Sequence, residues 1–179
     1  MSERVYTIGH GNRTFEVFID ILKHYEIVNV VDIRSFPGSR RNAHFNAAHL
    51  GQELPRFGLS YLWCRGLGGF RKKGLGDRSP NRALKSDGFR NYADYMLSKA
   101  FEENVALLMT MVQKEKTCLL CAETLPFRCH RWILSDYLTA HGVEVIHLLD
   151  ARRSEVHKFS RWATVQNGQV IYGGADVPP

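Results

Sequence analysis

Long hydrophobic runs are missing from this sequence of 179 residues. No apolar stretch approaches the roughly 20 residues that a membrane-spanning helix needs, which excludes a helical membrane protein. The first ten residues, MSERVYTIGH, contain no apolar core of a signal peptide, so we expect a cytoplasmic protein without a membrane partner. A content of 44% hydrophobic and 23% charged residues is typical of a globular domain.

Cysteine is also scarce. Four cysteines are too few in a chain of this length to indicate a disulfide scaffold, and in the cytoplasm they would stay reduced. Cys118 and Cys121 have a metal-site spacing but fall within a predicted strand, where residues three apart point to opposite faces. Cys121, Cys129 and His130 form an alternative ligand set, with His10 as a fourth member. Because cysteines in a strand more often pack in the core, we predict no metal and no cofactor.

Acidic residues are few in one long segment of the chain. Between Arg34 and Arg90, twelve lysines and arginines face three acids, giving a net charge of +9 against +6 for the whole chain. Such a concentration of positive charge predicts a polyanionic partner, DNA foremost, with RNA or a nucleotide as alternatives. Aromatic residues on which bases can stack are interleaved with the cations: Phe36, Phe45, Phe57, Tyr61, Trp63, Phe70 and Phe89. The alternative is a solvated region whose aromatics lie in the core.

Short apolar runs alternate with segments of helical spacing, which predicts an α/β fold. The predicted strands span residues 5–9, 27–33, 59–64, 117–122 and 143–148, and residues 170–172 indicate one further short strand. Helical patterns begin after Thr14 and cover residues 49–57, 89–114 and 132–141. We expect a single domain over residues 1–179, with a mostly parallel sheet of about five strands and helices on both faces. Residues 65–86, which are basic and rich in glycine, predict a long mobile loop.

The segment with the most chemistry is residues 117–131, TCLLCAETLPFRCHR. A buried strand ends there in six side chains that can transfer a proton, attack, ligate a metal or bind an anion: Cys121, Glu123, Arg128, Cys129, His130 and Arg131. Ligands of open α/β sheets bind beyond the carboxyl ends of the strands. Since Asp32 ends the second predicted strand, we predict that Asp32 and Glu123 form an acid–base pair. The alternative is that each pairs with a structural arginine, such as Arg34 or Arg131.

The same segment also bears on phosphate chemistry. The interval Cys121-x6-Arg128 is one residue longer than the loop of cysteine phosphatases, and Pro126 would disturb the anion-binding backbone. Both features argue against thiolate catalysis. A helix that starts after Pro126 could instead bind an anion, together with Arg128 or Arg131.

A second candidate for base binding follows Arg40 and Arg41. His44, Phe45 and Asn46 could hold a base by stacking and by hydrogen bonds to its edge. A capped short helix with Phe45 in the core is the alternative.

Five motifs together make the chain resemble the bacterial and archaeal domain-of-unknown-function family 488, DUF488. They are TIGHGNRT, VDIRSFPGSRRNAHFN, YLWCRGLGG, FRNYADYM and LLCAETLPFRCHRWILSDYLTAHGVEVIHLL, and the similarity covers residues 5–172. The resemblance implies a compact α/β fold and the removal of a base, N6-methylated adenine, from DNA. It also implies site roles for His10, Asp32, Arg34, Cys121, Glu123, Cys129, His130 and Arg131. Members often carry tryptophans before the Cys-His-Arg triplet, where this chain has Pro126 and Phe127.

We therefore predict a DNA N-glycosylase. Asp32 or Glu123 would orient water or stabilise an oxocarbenium-like sugar, and His130 or the other acid would protonate the departing base. The remaining predicted site residues would bind the base and the phosphates: His10, Arg34, Arg40, Arg41, His44, Phe45, Asn46, Tyr61, Phe127, Arg128 and Arg131. The alternatives are a non-catalytic nucleic-acid or nucleotide-binding module and a Cys/His enzyme that depends on a metal or a thiol.

Overall fold

A six-stranded sheet lies at the centre of the structure, a computed structural model that describes residues 3–174. The strands of this sheet are β1 (Arg4–Gly9), β2 (Asn29–Asp32), β3 (Ser60–Trp63), β4 (Thr117–Cys121), β5 (Glu144–Leu148) and β6 (Ser154–Val156). The helices are α1 (Phe15–His24), α2 (Ala47–Glu53), α3 (Asp87–Tyr95), α4 (Lys99–Val112) and α5 (Arg131–Ala140). A separate hairpin consists of β7 (Thr164–Gln166) and β8 (Gln169–Ile171). The predicted α/β class is confirmed.

The strand order is β3-β2-β4-β1-β5-β6. Strands β1 to β5 pair in parallel, and β6 is antiparallel to β5, so the mostly parallel sheet is also confirmed. β6 is the sixth strand, which the sequence did not predict, because all three of its residues are exposed and give no hydrophobic signal. The order places β2, β4 and β1 side by side, so their carboxyl ends meet at one edge of the sheet.

Each face of the sheet carries its own hydrophobic core. Val5, Val31 and Leu119 point to one face, where α4 and α5 pack. Ile8 and Leu120 point to the other face, against α1 and α2. A parallel sheet buried on both sides needs apolar residues on both sides of each strand, which explains why the predicted strands read as continuous apolar runs.

The helical pattern over residues 89–114 forms two helices. Ser86 caps α3, where its hydroxyl accepts a hydrogen bond from the Phe89 amide, and Ser98 caps α4 through the Phe101 amide. Serine satisfies the unpaired N–H groups of a first helical turn and so fixes where a helix begins. The break between the two helices is thus encoded by Ser98.

The basic segment 65–86 contains only two short 3-10 turns, at Arg65–Leu67 and Gly76–Arg78. The sequence predicts a mobile loop, but the structure ties this segment to α3 through the buried carboxylate of Asp94. That carboxylate accepts hydrogen bonds from the Ser79 hydroxyl at 2.5 Å, the Asn81 amide group at 2.8 Å and the Leu75 backbone N–H at 2.8 Å. The loop is therefore anchored at its middle.

The predicted strand at residues 170–172 belongs to the hairpin rather than to the main sheet. Asn167 and Gly168 both have positive φ, as the central residues of a type I′ turn require. After β8, the Tyr172 amide donates a hydrogen bond to the Asn81 side chain at 2.9 Å, and the Ala83 amide donates one to the Tyr172 carbonyl. Within residues 3–174, every helix is too short or too polar to cross a membrane.

Candidate functional site

Asp32 lies at the carboxyl end of β2 and is completely buried. Arg34 Nε donates a hydrogen bond to Asp32 Oδ1 at 2.8 Å, and the Tyr61 hydroxyl donates one to Oδ2 at 2.7 Å. Burial, reinforced by the Asp32 charge, raises the pKa of Tyr61. The structure thus shows the arginine pair that the sequence offered as the alternative role for Asp32. A carboxylate whose two oxygens both accept internal hydrogen bonds positions its neighbours rather than a water molecule.

The carboxyl end of β1 is occupied by a stacked pair of rings. The His10 ring lies 4.6 Å from the fully buried Phe45 ring at an interplanar angle of 13°, and its Nδ1 donates to the Gly11 carbonyl at 2.8 Å. Burial lowers the pKa of His10. Arg34 Nη2 donates to the Phe45 carbonyl at 2.7 Å. Phe45 therefore lies in the core, which is the alternative to base stacking that the sequence analysis gave.

The other residues of that motif make contacts inside the protein. His44 Nε2 lies 3.2 Å from the Arg13 carbonyl oxygen, and Asn46 Oδ1 accepts a hydrogen bond from the Ser39 amide at 2.6 Å. Arg40 and Arg41 on the same loop are exposed and form no ion pair within residues 3–174. These two arginines remain available to phosphate groups.

The predicted site residues in the segment after β4 fall into an exposed group and a buried group. Glu123, Phe127 and Arg128 are exposed, and the Glu123 carboxylate forms no ion pair with any residue between 3 and 174. Residues Pro126–Arg128 form a 3-10 turn, and α5 begins at Arg131, within one residue of the start of the predicted helix 132–141. Arg131 is 1% exposed, which excludes it from direct contact with an external anion in this conformation.

Behind the turn, sulfur and nitrogen atoms converge. The Sγ atoms of Cys121 and Cys129 and one ring nitrogen of His130 lie within 4.8 Å of one another. Three donors are one fewer than a structural zinc site uses, and His10 does not belong to this group. Burial, reinforced by the Arg131 charge, lowers the pKa of His130 to about 4. His130 is therefore neutral at pH 7, which is against its predicted role as the acid that protonates a leaving base.

Arg131 is held by a buried chain of hydrogen bonds that sequence reasoning missed. Its Nη1 donates to the Thr7 hydroxyl at 3.3 Å, and Thr7 Oγ1 lies 2.7 Å from His147 Nδ1. His147 Nε2 lies 3.0 Å from His157 Nδ1, and His157 Nε2 lies 2.8 Å from Asp136 Oδ1. All five residues are buried. The one sequence signal was His147, a histidine within the apolar run of the predicted strand 143–148.

Two exposed phenylalanines on the loops after β2 and β3 border a cavity of about 340 Å³. Ser35, Phe36, Arg65, Phe70, Arg71 and Lys72 line this cavity, which we call the Phe36–Phe70 cavity. Phe36 is 66% exposed and Phe70 58%, and their ring centroids lie 5.5 Å apart. The Ser35 hydroxyl accepts a hydrogen bond from the Phe70 amide at 2.8 Å, which joins the loops after β2 and β3. Phe36 and Phe70 are two of the aromatic residues that the sequence offered for base stacking, but the sequence did not predict that they share a cavity.

The buried histidines predict an acid-sensitive fold. Burial, followed by the charges of His157 and Arg131, lowers the pKa of His147 to about 3, and the pKa of His130 is about 4. The ordinary pKa of histidine is 6.5. Below this pH, the two histidines bind protons in the unfolded chain but remain neutral in the folded protein. We therefore expect the free energy of unfolding to fall between pH 6.5 and pH 4, by up to about 1.4 kcal/mol per pH unit for each histidine.

Urea unfolding at a series of pH values measures this dependence. His130→Gln should reduce the slope of stability against pH, whereas His24→Gln, at an exposed position on α1, should leave it unchanged. An equal slope in the wild type and the His130→Gln variant would show that the protonation of His130 is not linked to folding.

A comparison with known protein families gives a match. The model of the family described as domain of unknown function DUF488 matches residues 14–138, which include β2, β3, β4 and the first turns of α5. Neither the curated proteins nor the solved structures contain a match to the chain.

Proposed function

This chain belongs to the DUF488 family, and we propose that it acts on DNA as a cytoplasmic N-glycosylase. The observation that carries the proposal is the Phe36–Phe70 cavity, where two exposed aromatic rings stand among three cationic side chains at the carboxyl edge of the sheet. Its volume lies at the lower end of small-molecule pockets, which suits a single extruded base.

The cavity combines the two features that single-stranded nucleic acid requires. Exposed aromatic faces stack with bases of any sequence, and arginines and lysines bind the phosphates. Arg71 has a fixed position beside the cavity, because its guanidinium lies over the Tyr95 ring at 3.5 Å and donates to the Gly66 carbonyl at 2.9 Å. Arg40 and Arg41, on the loop that follows Phe36, add two exposed positive charges that could bind the phosphates of the DNA strand.

The cavity is in contact with the segment that carries Glu123. Gly69 precedes Phe70, and a Cβ atom built on Gly69 would lie 2.4 Å from His130 Nδ1. The absence of a side chain at Gly69 therefore lets the cavity wall pack directly on the segment after β4. Since Asp32 is enclosed, we assign to Glu123 the carboxylate role, which is to orient water or to stabilise the positive charge that develops on the sugar.

The enclosure of Asp32 also favours a second candidate function. Hydrolysis of glycosidic bonds ordinarily uses two carboxyl groups, and the pairing of Asp32 with Arg34 and Tyr61 leaves Glu123 as the one member of the predicted acid–base pair that is open to a substrate. A module that binds nucleic acid without turnover would need the Phe36–Phe70 cavity but not Glu123.

One experiment separates the two functions. The protein is incubated with duplexes that carry N6-methyladenine and a panel of other modified bases, and alkali-labile sites are counted while affinity is measured by fluorescence anisotropy. We expect Glu123→Gln to lower the rate of base release by roughly 100-fold or more with unchanged affinity, because it removes acid–base catalysis alone. Replacing Phe36 and Phe70 by alanine should weaken binding by about 1–3 kcal/mol per stacked base, roughly 5- to 150-fold.

Lys99→Ala serves as the control for charge, because Lys99 is exposed on α4 outside the cavity. Tight binding without base release on every duplex would reject the glycosylase and leave the binding module. Undiminished affinity after loss of both phenylalanines would reject the cavity as the nucleic-acid site.

A further inference from the structure

The Arg131 side chain carries a buried positive charge. Among its hydrogen-bond partners within residues 3–174, the Cys129 sulfur is the one that can become negatively charged. The side chain is 1% exposed, and within residues 3–174 no carboxylate forms an ion pair with it. Arg131 Nε donates to Cys129 Sγ at 3.2 Å, and its other donors reach the Thr7 hydroxyl and the backbone carbonyls of Glu123 and Thr124. A buried cation without a counter-ion is strongly destabilising, so the Cys129 sulfur is the group that compensates it.

We propose that Cys129 is a thiolate paired with Arg131, and that Cys129 and Cys121 form a dithiol site that small hydroperoxides oxidise to an intramolecular disulfide. The site is separate from the Phe36–Phe70 cavity and does not depend on the function proposed for it.

The geometry gives the two cysteines different roles. Their sulfur atoms lie within 4.8 Å of each other, at the end of β4 and directly before α5. The neighbouring Cys121 thiol, together with the Arg131 charge and N–H groups, lowers the pKa of Cys129. The neighbouring Cys129 sulfur, together with burial, raises the pKa of Cys121. Cys129 is thus the nucleophile, and Cys121 keeps the proton that it needs as the resolving thiol.

The neighbours of the pair limit what can react with it. His130 is neutral at pH 7 and adds no charge, so the stabilisation of the thiolate comes from Arg131 and Cys121. Both cysteines are more than nine-tenths buried, which admits hydrogen peroxide or a small alkyl hydroperoxide but excludes a bulky disulfide substrate. A transient disulfide of this kind is the type that occurs in a reducing cytoplasm.

The reaction consumes one hydroperoxide for each disulfide. The Cys129 thiolate attacks the terminal oxygen, an S–O bond forms, the O–O bond breaks, and the leaving alkoxide or hydroxide takes a proton from water. Cys129 is then a sulfenic acid. The Cys121 sulfur attacks the Cys129 sulfur, the S–S bond forms, the S–O bond breaks, and hydroxide leaves with the Cys121 proton as water. The two sulfurs lose two electrons in total. An alkyl hydroperoxide is reduced to one alcohol and one water, and hydrogen peroxide is reduced to two waters.

The test compares four buried cysteines within one protein. Reduced, chelator-treated protein is exposed to substoichiometric hydrogen peroxide at pH 7, quenched with an alkylating agent and mapped by mass spectrometry after trypsin. We expect a disulfide between the peptides 117–128 and 129–131, formed roughly ten or more times faster than Cys64 is oxidised. The Cys118→Ser variant, whose product must keep this link, assigns the bond to Cys121.

Two further results bear on the proposal. Cys121→Ser should leave a sulfenic acid on Cys129 that a dimedone probe captures, since the resolving thiol is then missing. Comparable oxidation rates at Cys64, Cys118, Cys121 and Cys129 in the wild type would overturn the proposal, and so would oxidation without the Cys121–Cys129 link. The wild-type result decides the question even where a variant fails to fold.

Discussion

Replacing Asp136 with alanine is expected to lower the free energy of unfolding by about 3–5 kcal/mol, because it leaves a buried polar network without its acceptor. The Asp136 carboxylate is completely buried. It accepts hydrogen bonds from the Ser160 hydroxyl at 2.7 Å, the Ser160 amide at 2.9 Å and the Tyr172 hydroxyl at 2.7 Å, and it contacts His157 at 2.8 Å. Urea unfolding followed by circular dichroism measures the loss.

Asp20→Ala is the matched control, because Asp20 is exposed on α1 and its loss should change stability by less than about 0.5 kcal/mol. Asp136→Asn keeps the shape of the side chain but turns one acceptor into a donor, so we expect an intermediate loss. A change below about 1 kcal/mol in Asp136→Ala would mean that the network is not an important source of stability.

Gly9→Ala is expected to have the second large effect. A Cβ atom on Gly9 would lie 1.7 Å from the carbonyl oxygen of Glu123, and both partners belong to the backbone. No rotamer change can relieve such an overlap, so the end of β1 and the segment after β4 would have to separate. We expect a loss of about 3 kcal/mol or more, above the usual cost of overpacking, or a failure to accumulate folded protein.

The control for this prediction is Gly38→Ala. A Cβ atom at Gly38 meets no atom within 4 Å, and Gly38 does not have positive φ, so stability should change by less than about 0.5 kcal/mol. Chemical unfolding of both variants provides the comparison. Equal stabilities would mean that the Gly9–Glu123 contact relaxes easily and does not position Glu123.

The fold was largely predictable, because apolar periodicity reports which residues are buried. The strand ends at Asp32 and Cys121 were predicted to within one residue, since each apolar run stops where the sheet does. β6 was missed because pairing at a sheet edge uses backbone groups, which every sequence has. The Ser98 cap was also visible only in hindsight, because a serine inside a helical pattern is not rare.

The sequence predicted which residues follow the carboxyl ends of β2 and β4, but not the contacts that these residues make. Thr7 and His147 are directly paired across β1 and β5, yet this pairing follows from the strand order, which a single sequence does not reveal. Arg131 and Arg128 are equally basic in sequence, and only the start of α5 turns Arg131 inward. The enclosure of Asp32 depends on Tyr61, which lies on the neighbouring strand rather than nearby in the chain.

The hairpin β7–β8 brings Tyr172 to two distant parts of the chain at once. Its hydroxyl completes the bonds of Asp136, and its backbone joins Asn81 and Ala83 in the basic loop. During synthesis, a chain that ends before residue 172 therefore has neither a closed interior around Asp136 nor a fastened loop beside the Phe36–Phe70 cavity. The carboxyl edge of the sheet therefore reaches its native structure late in synthesis, although most of the residues that form it are translated early.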